Sequence, residues 1–376
     1  MKTWTEINKK NLNSNLSQFR KLVGEKVKIM GVVKANAYGH GLIVTSKIIE
    51  KNVDWFGVDS LVEGIELRKN NIKKPILVLG YVELGDLKTA VKNRLSLTVY
   101  NKETIDCLGE IPIKNPYFNP KIHLKLETGT GRQGIPETDL AEFLKHIKKY
   151  PSIKIEGAST HYANIEDTTD SSYAKNQLAV FRRMVAAIEA EGFKIPFKHT
   201  ACSAAAILFP ETRFDMVRLG ISMYGLWSSK ETKAIANSGK NKLNLKPAIF
   251  WKTKIAQLKK IKSGAAIGYG LTEILSRDSL IAILPIGYFD GYDRKLSSIG
   301  NVLIRGQRCK VLGRVCMNMI IVDATDLKNV KIEDEAVLLG KQGKEEITAE
   351  EIAQKTGTIN YEVISRINPL IPRVIK

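Results

Sequence analysis

Short apolar runs recur along the first two thirds of the chain, and most segments between them show the periodicity of amphipathic helices. Eight of these runs have the composition of buried strands, and they begin at Val27, Trp55, Pro75, Leu95, Lys121, Ile155, Phe197 and Met216. Buried strands that alternate with helices indicate parallel βα units. Eight such units predict an α/β fold with a closed, TIM-like (β/α)8 barrel, although an open doubly wound sheet has the same pattern.

The pattern changes after about Gly225. The segment SSKETKAIANSGKNKLNLKP is polar and typical of a linker or long loop, and short strand-like runs separated by turns follow it. A length of 376 residues also exceeds what one ordinary core contains. We therefore predict two domains, a (β/α)8 barrel over residues 1–240 and a β-rich domain over residues 241–376.

Charge and composition narrow the functional class. The net charge of +19 is one sign of nucleic-acid binding, but the lysines are spread in short groups without a recognised nucleic-acid motif. This favours a generally basic surface that attracts small anions. No apolar stretch approaches the roughly 20 residues of a membrane span, and the polar N-terminus lacks the apolar region of a signal peptide. The cysteines show no CxxC spacing, which argues against a zinc site or disulfide framework and fits a cytoplasmic protein; they are Cys107, Cys202, Cys309 and Cys316.

Lys34 ends the first apolar run, in VVKANAYGHG. Catalytic groups of a (β/α)8 barrel lie at the C-terminal ends of its strands, where a lysine is partly desolvated. Desolvation lowers the pKa of an amine, and a neutral amine is a nucleophile that forms Schiff bases. Taken alone, this stretch is more typical of a solvated loop lysine than of a catalytic one.

Other polar or small residues follow the later strands, and these are His161, His199, Ser203, Arg218, Gly220 and Ile221. A phosphate site in this fold forms in the loops after strands seven and eight, where Ser203, Gly220 and Ile221 lie. A Schiff-base lysine with a phosphate cradle suggests pyridoxal phosphate as the cofactor. Arg132, in the loop LETGTGRQG, is either a surface residue of a turn or a donor of hydrogen bonds to a carboxylate or phenolate. Tyr269, between two glycines, is either an exposed turn residue or a group that transfers a proton.

Taken together, these segments resemble the alanine racemase family. The likeness covers nearly the whole chain, and the motifs occur in the order that the family shows; they are VVKANAYGHG, LETGTGRQG, THYANIED, HTACSAA, RLGISMYG, AIGYG, PIGYFDGYDR, GRVCMNM and TINYEVISR. The resemblance implies a pyridoxal-phosphate enzyme that interconverts L- and D-alanine and supplies D-alanine for peptidoglycan. It also implies a homodimer in which each subunit's second domain completes the other's active site.

The resemblance assigns two bases. Lys34 holds the cofactor as a Schiff base and acts on one face of the substrate, and the partner subunit's Tyr269 acts on the other. Racemisation removes the α-proton from one face and returns a proton on the other, so each base serves as the acid in the reverse direction. An arginine that faces the pyridine nitrogen cannot accept its proton, which limits electron withdrawal and disfavours side reactions.

The remaining roles are also implied by the resemblance. The phosphate is held by Tyr38, Ser203, Gly220, Ile221 and Tyr361. Arg218 faces the pyridine nitrogen with support from His161, and Arg132 contacts the phenolic oxygen and the substrate. Lys125 matches a family lysine that is often carbamylated. The backbone at the partner subunit's Met317 binds the substrate carboxylate, and Tyr288 and Arg294 lie at the entrance.

The sequence departs from the family at several positions. Glu127 replaces an aspartate, Thr130 a methionine, Cys202 an asparagine and Asn318 an aspartate, and the ending SRINPLIPRVIK lacks one of two usual arginines. None of these changes removes a proposed catalytic group. Cys202 and Asn318 leave open a broader racemase that acts on serine or a basic amino acid. A decarboxylase with a similar architecture, a non-catalytic cofactor carrier and a nucleic-acid binder are the other readings.

Overall fold

The computed structural model describes residues 1–112, 115–116, 119–238 and 242–376. The chain divides into two compact units. One comprises Leu12–Ala35 and Ser46–Lys246, and the other comprises Met1–Asn11, Asn36–Thr45 and Pro247–Lys376. The predicted boundary between residues 240 and 241 lies outside the described residues. Among the described helices, none is both long and apolar enough to cross a bilayer.

The first unit contains the predicted barrel. Its eight parallel strands are β2 Lys28–Val32, β3 Trp55–Val58, β4 Ile76–Val78, β5 Ser96–Val99, β6 Lys121–Lys125, β7 Lys154–Ser159, β8 Phe197–His199 and β9 Met216–Leu219. They pair in the order β8-β7-β6-β5-β4-β3-β2-β9. The backbone N–H of Asp215 donates to the Lys198 carbonyl at 3.1 Å, and that of Arg218 donates to the Ala201 carbonyl at 2.9 Å. These bonds join the two ends of the sheet, so the closed barrel is confirmed.

Helices connect the strands, as the periodicity predicts. Those that begin before residue 240 are α1 Lys9–Val23, α3 Leu42–Ile49, α4 Leu61–Lys69, α5 Leu87–Lys92, α6 Lys102–Gly109, α7 Leu140–Ile147, α8 Ser172–Ala190, α9 Ser203–Leu208 and α10 Lys230–Ser238. A one-turn element, α2, spans Lys34–Tyr38. The α4 and α6 helices start at side-chain caps, since Ser60 accepts from the Glu63 N–H and Asn101 from the Thr104 N–H.

The prediction of a linker after Gly225 is wrong for part of that segment, because α10 occupies Lys230–Ser238. Alanine, lysine and glutamate favour helix, and the segment buries Thr232 and Ala236, four residues apart on one helical face. Two buried positions in nine residues are too few to produce a clear hydrophobic period in the sequence.

The second unit is β-rich, as predicted. Its strands are β1 Thr3–Ile7, β10 Ile249–Lys254, β11 Gln257–Ile261, β12 Ala266–Ile267, β13 Glu273–Ile274, β14 Ser279–Leu284, β15 Asn301–Ile304, β16 Gln307–Lys310, β17 Ile320–Asp323, β18 Glu335–Gln342, β19 Glu345–Ile347 and β20 Arg373–Ile375. The largest sheet has the order β16-β15-β18-β10-β1-β20, with β19 paired to β18. The helices α11 Ala349–Thr356 and α12 Asn360–Ser365 precede the last strand, β20.

The N-terminal strand β1 belongs to this second unit, which the sequence did not indicate. It pairs antiparallel with β10, with Thr3 opposite Thr253 and Ile7 opposite Ile249. Its five residues alternate between buried and half-buried positions. So short an alternation is a weak signal, and the partner strand lies more than 240 residues away in the sequence.

Candidate active site

Lys34 lies two residues after the end of β2, at the C-terminal end of the barrel strands. Its Nζ donates to Asp59 Oδ1 at 3.0 Å, and Asp59 follows the neighbouring strand β3. The Lys34 side chain is 41% exposed, so its amine is accessible at the barrel mouth. The four residues after it, Ala35 to Tyr38, all have φ between 52° and 54°, so the lysine is followed by a left-handed turn.

Arg218 is the most extensively hydrogen-bonded of the predicted site residues. It lies on β9 and is only 8% exposed. Its Nη1 donates to Nδ1 and the carbonyl of His199 at 2.9 and 2.6 Å. Its Nη2 donates to the carbonyls of Thr160 and Thr200 at 2.8 and 3.0 Å and lies 3.4 Å from Nδ1 of His161. Both terminal nitrogens are therefore engaged, whereas Nε has no partner among the described residues.

The residues around Arg218 carry a concentration of positive charge. Burial lowers the pKa of Arg218 to about 10, so the guanidinium stays protonated at neutral pH. Burial and then the charges of Arg218, Lys125, Arg132 and Lys34 lower the pKa of His161 to about 2. His161 is therefore a neutral imidazole. Lys34 and His161 follow β2 and β7, Lys125 ends β6, and Arg218 lies on β9, so the side chains predicted from these strands lie at the same end of the barrel.

Lys125 ends β6 beside this cluster. Burial lowers its pKa well below 10.5, the charges of Arg218 and Arg132 lower it further, and Glu127 opposes them. Among the described carboxylates, none lies within 4.0 Å of its Nζ. Burial of this kind favours the neutral form of a lysine, and the neutral amine is the nucleophilic one.

Glu127 organises the loop that presents Arg132. Its carboxylate accepts from the backbone N–H groups of Gly129 and Thr130 at 2.6 Å and of Arg132 at 3.2 Å. Burial alone would raise the pKa of Glu127, but these hydrogen bonds outweigh it and lower the pKa. The Arg132 side chain is exposed, and the glutamate fixes the backbone from which it projects.

Ser203, Gly220 and Ile221 lie together, as the predicted phosphate site requires. The Gly220 N–H donates to Ser203 Oγ at 3.1 Å, which joins the loops that follow β8 and β9. Ser203 is the first residue of α9, and Ile221 is the first residue of a 3₁₀ turn, Ile221–Tyr224. The first N–H groups of a helix lack intrahelical partners, so both loops present donors suited to an anion.

The other predicted residues belong to the second unit. Tyr38 and Tyr361 lie with their ring centroids 6.2 Å apart. Tyr269 lies between β12 and β13, in the turn of a two-stranded hairpin, and is 71% exposed. Met317 is 54% exposed, and its carbonyl accepts from the Phe289 N–H at 3.0 Å.

The entrance residues lie near that segment. The Tyr288 N–H donates to the Cys316 carbonyl at 3.0 Å, and the Tyr288 side chain is 42% exposed. Arg294 is exposed as well. Two backbone bonds therefore hold the segment that contains Tyr288 against the segment that contains Met317.

Three polar residues near the barrel site were not singled out from the sequence. Asp59 contacts Lys34, and His123 and Glu156 lie behind His199 in the barrel interior. For His123 a signal existed, because it precedes Lys125 by two residues on β6 and side chains at that spacing share a face. Glu156 carries no comparable signal, since a carboxylate near the start of a strand is usually a surface residue.

Two family models match the chain. "Alanine racemase, N-terminal domain" matches residues 7–228, and "Alanine racemase, C-terminal domain" matches residues 248–375. Among curated relatives, the alanine racemase of Halothermothrix orenii is 40% identical over 375 residues, covering 100% of this chain and 97% of the relative. That of Methanococcus maripaludis is 39% identical, covering 99% of this chain and 98% of the relative.

Solved structures agree with these matches. The alanine racemase of Clostridium difficile 630 superposes with a TM-score of 0.92 at 36% identity, covering 100% of this chain and 96% of that one. The alanine racemase of Bacillus anthracis with bound L-Ala-P gives a TM-score of 0.93 at 34% identity, covering 100% and 95%. With both domains matched and full-length relatives at about 40% identity, the chain belongs to the alanine racemase family.

Proposed function

We propose that this protein interconverts L-alanine and D-alanine, with pyridoxal phosphate attached at Lys34. The observation that carries the proposal is the position of the Lys34 amine. It is accessible at the C-terminal end of the barrel, at the same end as Arg218 and the paired loops of Ser203 and Gly220. The D-alanine product would supply peptidoglycan synthesis. We place the reaction in the cytoplasm, where the four free cysteines would stay reduced.

The residues present fit this cofactor. Arg218 has both terminal nitrogens engaged and an Nε–H to spare, which suits an acceptor such as a pyridine nitrogen. The hydroxyl of Ser203 and the backbone of Gly220 and Ile221 would hold the phosphate, with the hydroxyls of Tyr38 and Tyr361. When bound, the cofactor supplies electron withdrawal that acidifies the substrate's α-proton.

The protein's own residues would transfer the proton. Lys34 Nζ would remove the α-proton from one face of the substrate, while Tyr269 Oη of a second copy delivers a proton to the other face. In the opposite direction the two groups exchange the roles of acid and base. Because Arg218 is a permanent cation with no acceptor atom, it can orient the ring nitrogen but cannot take its proton.

Substrate and charge contacts complete the proposal. Arg132 and the backbone at the partner subunit's Met317 would bind the substrate carboxylate, and Tyr288 and Arg294 would line the entrance. Lys125 would be carbamylated: its neutral Nζ attacks the carbon of carbon dioxide, an N–C bond forms as one C–O π bond breaks toward oxygen, and the N–H proton passes to water. The resulting negative charge would lie beside Arg132 and Arg218, whose charges already lower the pKa of Lys125.

The test is chiral analysis of product formed from L-alanine by the purified protein with pyridoxal phosphate. Lys34→Ala should lower the rate on the order of a thousandfold, and its spectrum should lose the band of the lysine-bound cofactor. Lys28→Ala is the matched control, because Lys28 lies at the other end of the same strand. A Lys34→Ala protein with an unchanged rate would exclude the proposed mechanism.

Substrate range is tested in the same assay. L-serine and L-lysine should be converted much more slowly than L-alanine. Comparable rates would favour a broad-specificity racemase and direct attention to Cys202 and Asn318, the two departures from the family pattern near the site.

A further inference from the structure

We propose that Glu156, His123 and His199 form a relay of polar contacts with one fixed direction, two of them hydrogen bonds, which positions Arg218 from inside the barrel. These three residues would act through Arg218 and would not touch the substrate. The catalytic meaning of the relay rests on the proposed function, whereas its tautomers are a property of the chain itself.

The relay is a continuous row of close contacts through the barrel interior. Arg218 Nη1 lies 2.9 Å from His199 Nδ1, and His199 Nε2 lies 2.8 Å from His123 Nδ1. His123 Nε2 then lies 3.6 Å from Glu156 Oε2. That last distance is slightly longer than a hydrogen bond, and no other described polar atom bonds this buried nitrogen. Both histidines are completely buried.

Hydrogen-bond chemistry fixes the direction of every link. A guanidinium is a donor only, so His199 Nδ1 must accept and its proton must be on Nε2. That Nε2–H donates to His123 Nδ1, which places the second proton on His123 Nε2. The His123 N–H is then directed at Glu156, which can only accept when ionised. The arginine and the carboxylate are thus linked by two neutral rings of the same tautomer.

The surroundings keep the rings neutral and in place. Burial lowers the pKa of both histidines, the charge of Arg218 lowers each further, and Glu156 acts in the opposite sense on His123. Trp55 packs edge-on against the His123 ring at 5.4 Å between centroids. Gly157 leaves the room for it, because a Cβ there would lie 2.4 Å from His123 Nδ1.

The far end of the relay is also fixed. Glu156 Oε2 accepts from Ser96 Oγ at 2.5 Å, and Oε1 accepts from Lys121 Nζ at 3.0 Å. Lys121 therefore requires an acceptor at one carboxylate position, while His123 requires one at the other. A carboxylate meets both requirements at once, and a carboxamide cannot.

Reversal of the relay would disturb Arg218 directly. If His123 carried its proton on Nδ1, then His199 would have to carry its proton on Nδ1 too. That N–H would face the Arg218 Nη1–H at a 2.9 Å separation, with two donors opposed. The guanidinium would have to move, and its spare Nε–H would move with it.

The direct test is ¹⁵N NMR of the whole protein labelled selectively at its five histidines, with and without pyridoxal phosphate. His123 and His199 should show protonated Nε2 and unprotonated Nδ1 at every pH from about 6 to 9. Loss of one signal in each of the single variants His123→Gln and His199→Gln assigns the two rings. A proton on Nδ1 of either ring, or an imidazolium at neutral pH, would overturn the proposal.

A set of variants tests the role of Glu156. In Glu156→Gln, Lys121 should keep the amide oxygen, so the amide N–H group faces the His123 N–H and opposes the direction that Arg218 imposes; a fraction of the molecules should then carry the reversed tautomers. We expect kcat to fall on the order of tenfold, with the KM for alanine changed much less. Lys121→Met should leave the tautomers unchanged. The double variant Lys121→Met/Glu156→Gln lets the amide turn its oxygen toward His123 and should recover the original tautomers and most of kcat.

These outcomes separate the relay from the proposed function. If the wild-type protein shows the expected tautomers but does not racemise alanine, the relay stands and the proposed function fails. If it racemises alanine while Glu156→Gln changes neither the tautomers nor kcat, the relay fails and the proposed function stands.

Discussion

At the scale of single residues, Glu156 gives a prediction for stability. Burial alone would raise its pKa, but His123, Ser96 and Lys121 stabilise the carboxylate and lower the pKa from 4.5 to about 2. A carboxylate with a depressed folded-state pKa stabilises the fold above its unfolded pKa, and this contribution is lost as the pH falls toward the folded value. The contribution is at most roughly 3 kcal/mol at neutral pH.

Comparison of wild-type protein with Glu156→Gln should reveal this term. The difference between their thermal midpoints should be largest above about pH 5 and should shrink steadily as the pH is lowered from about 5 toward 3. Glu137→Gln is the control, because Glu137 forms an exposed ion pair with Arg183 and should change the profile little. Parallel curves for wild type and Glu156→Gln over this range would show that Glu156 is not held as proposed.

At the scale of elements, the turn after Lys34 is held by contacts within the second unit. The Gly39 carbonyl accepts from Arg373 Nε and Nη2 at 3.2 and 2.9 Å. Gly39 has a φ of +82°, and a Cβ there would lie 1.9 Å from the Ile364 carbonyl oxygen. Only glycine fits both the conformation and the space.

Gly39→Ala should therefore lower the thermal midpoint much more than a Gly→Ala substitution that introduces only the strain of a positive φ. Gly24→Ala provides the matched control, since Gly24 has a φ of +81° and a Cβ there would meet nothing within 4 Å. We expect Gly24→Ala to lower the free energy of unfolding by about 1–2 kcal/mol and Gly39→Ala to lower it by more. Gly39→Ala should also weaken the retention of pyridoxal phosphate, because Tyr38 directly precedes Gly39. Equal losses in the two variants would mean that the contact with Ile364 relaxes freely.

The secondary-structure elements differ in how well the sequence alone predicts them. The eight barrel strands were predicted, because buried parallel strands are continuous apolar runs. The left-handed turn from Ala35 to Tyr38 was not predicted, because alanine and tyrosine do not favour positive φ. Tertiary contacts must therefore impose this backbone conformation. Strand β1 was missed because its five residues gain their stability from a partner far along the chain.

At the scale of the whole molecule, the sequence indicated the residues that carry the chemistry better than the buried residues that position them. Lys34, Arg218 and Ser203 could be proposed because catalytic groups follow strand ends in this fold. The relay behind Arg218 could not, because it depends on which interior positions of β6, β7 and β8 face one another. Register between strands far apart in the sequence is a property of the closed barrel and is not encoded in any local pattern.

Whether two copies share each active site can be decided by mixing two inactive variants. Lys34→Ala and Tyr269→Ala should each be inactive as homodimers. In a mixed dimer one site receives both lesions, while the other combines an intact Lys34 with the partner subunit's intact Tyr269. With random association, half of the dimers are mixed and each has one working site, so co-refolded equal amounts should recover about a quarter of the wild-type activity.

If both residues of a site came from the same chain, every site would keep one lesion and mixing would recover nothing. The 71% exposure of Tyr269 leaves its phenol accessible to a second copy.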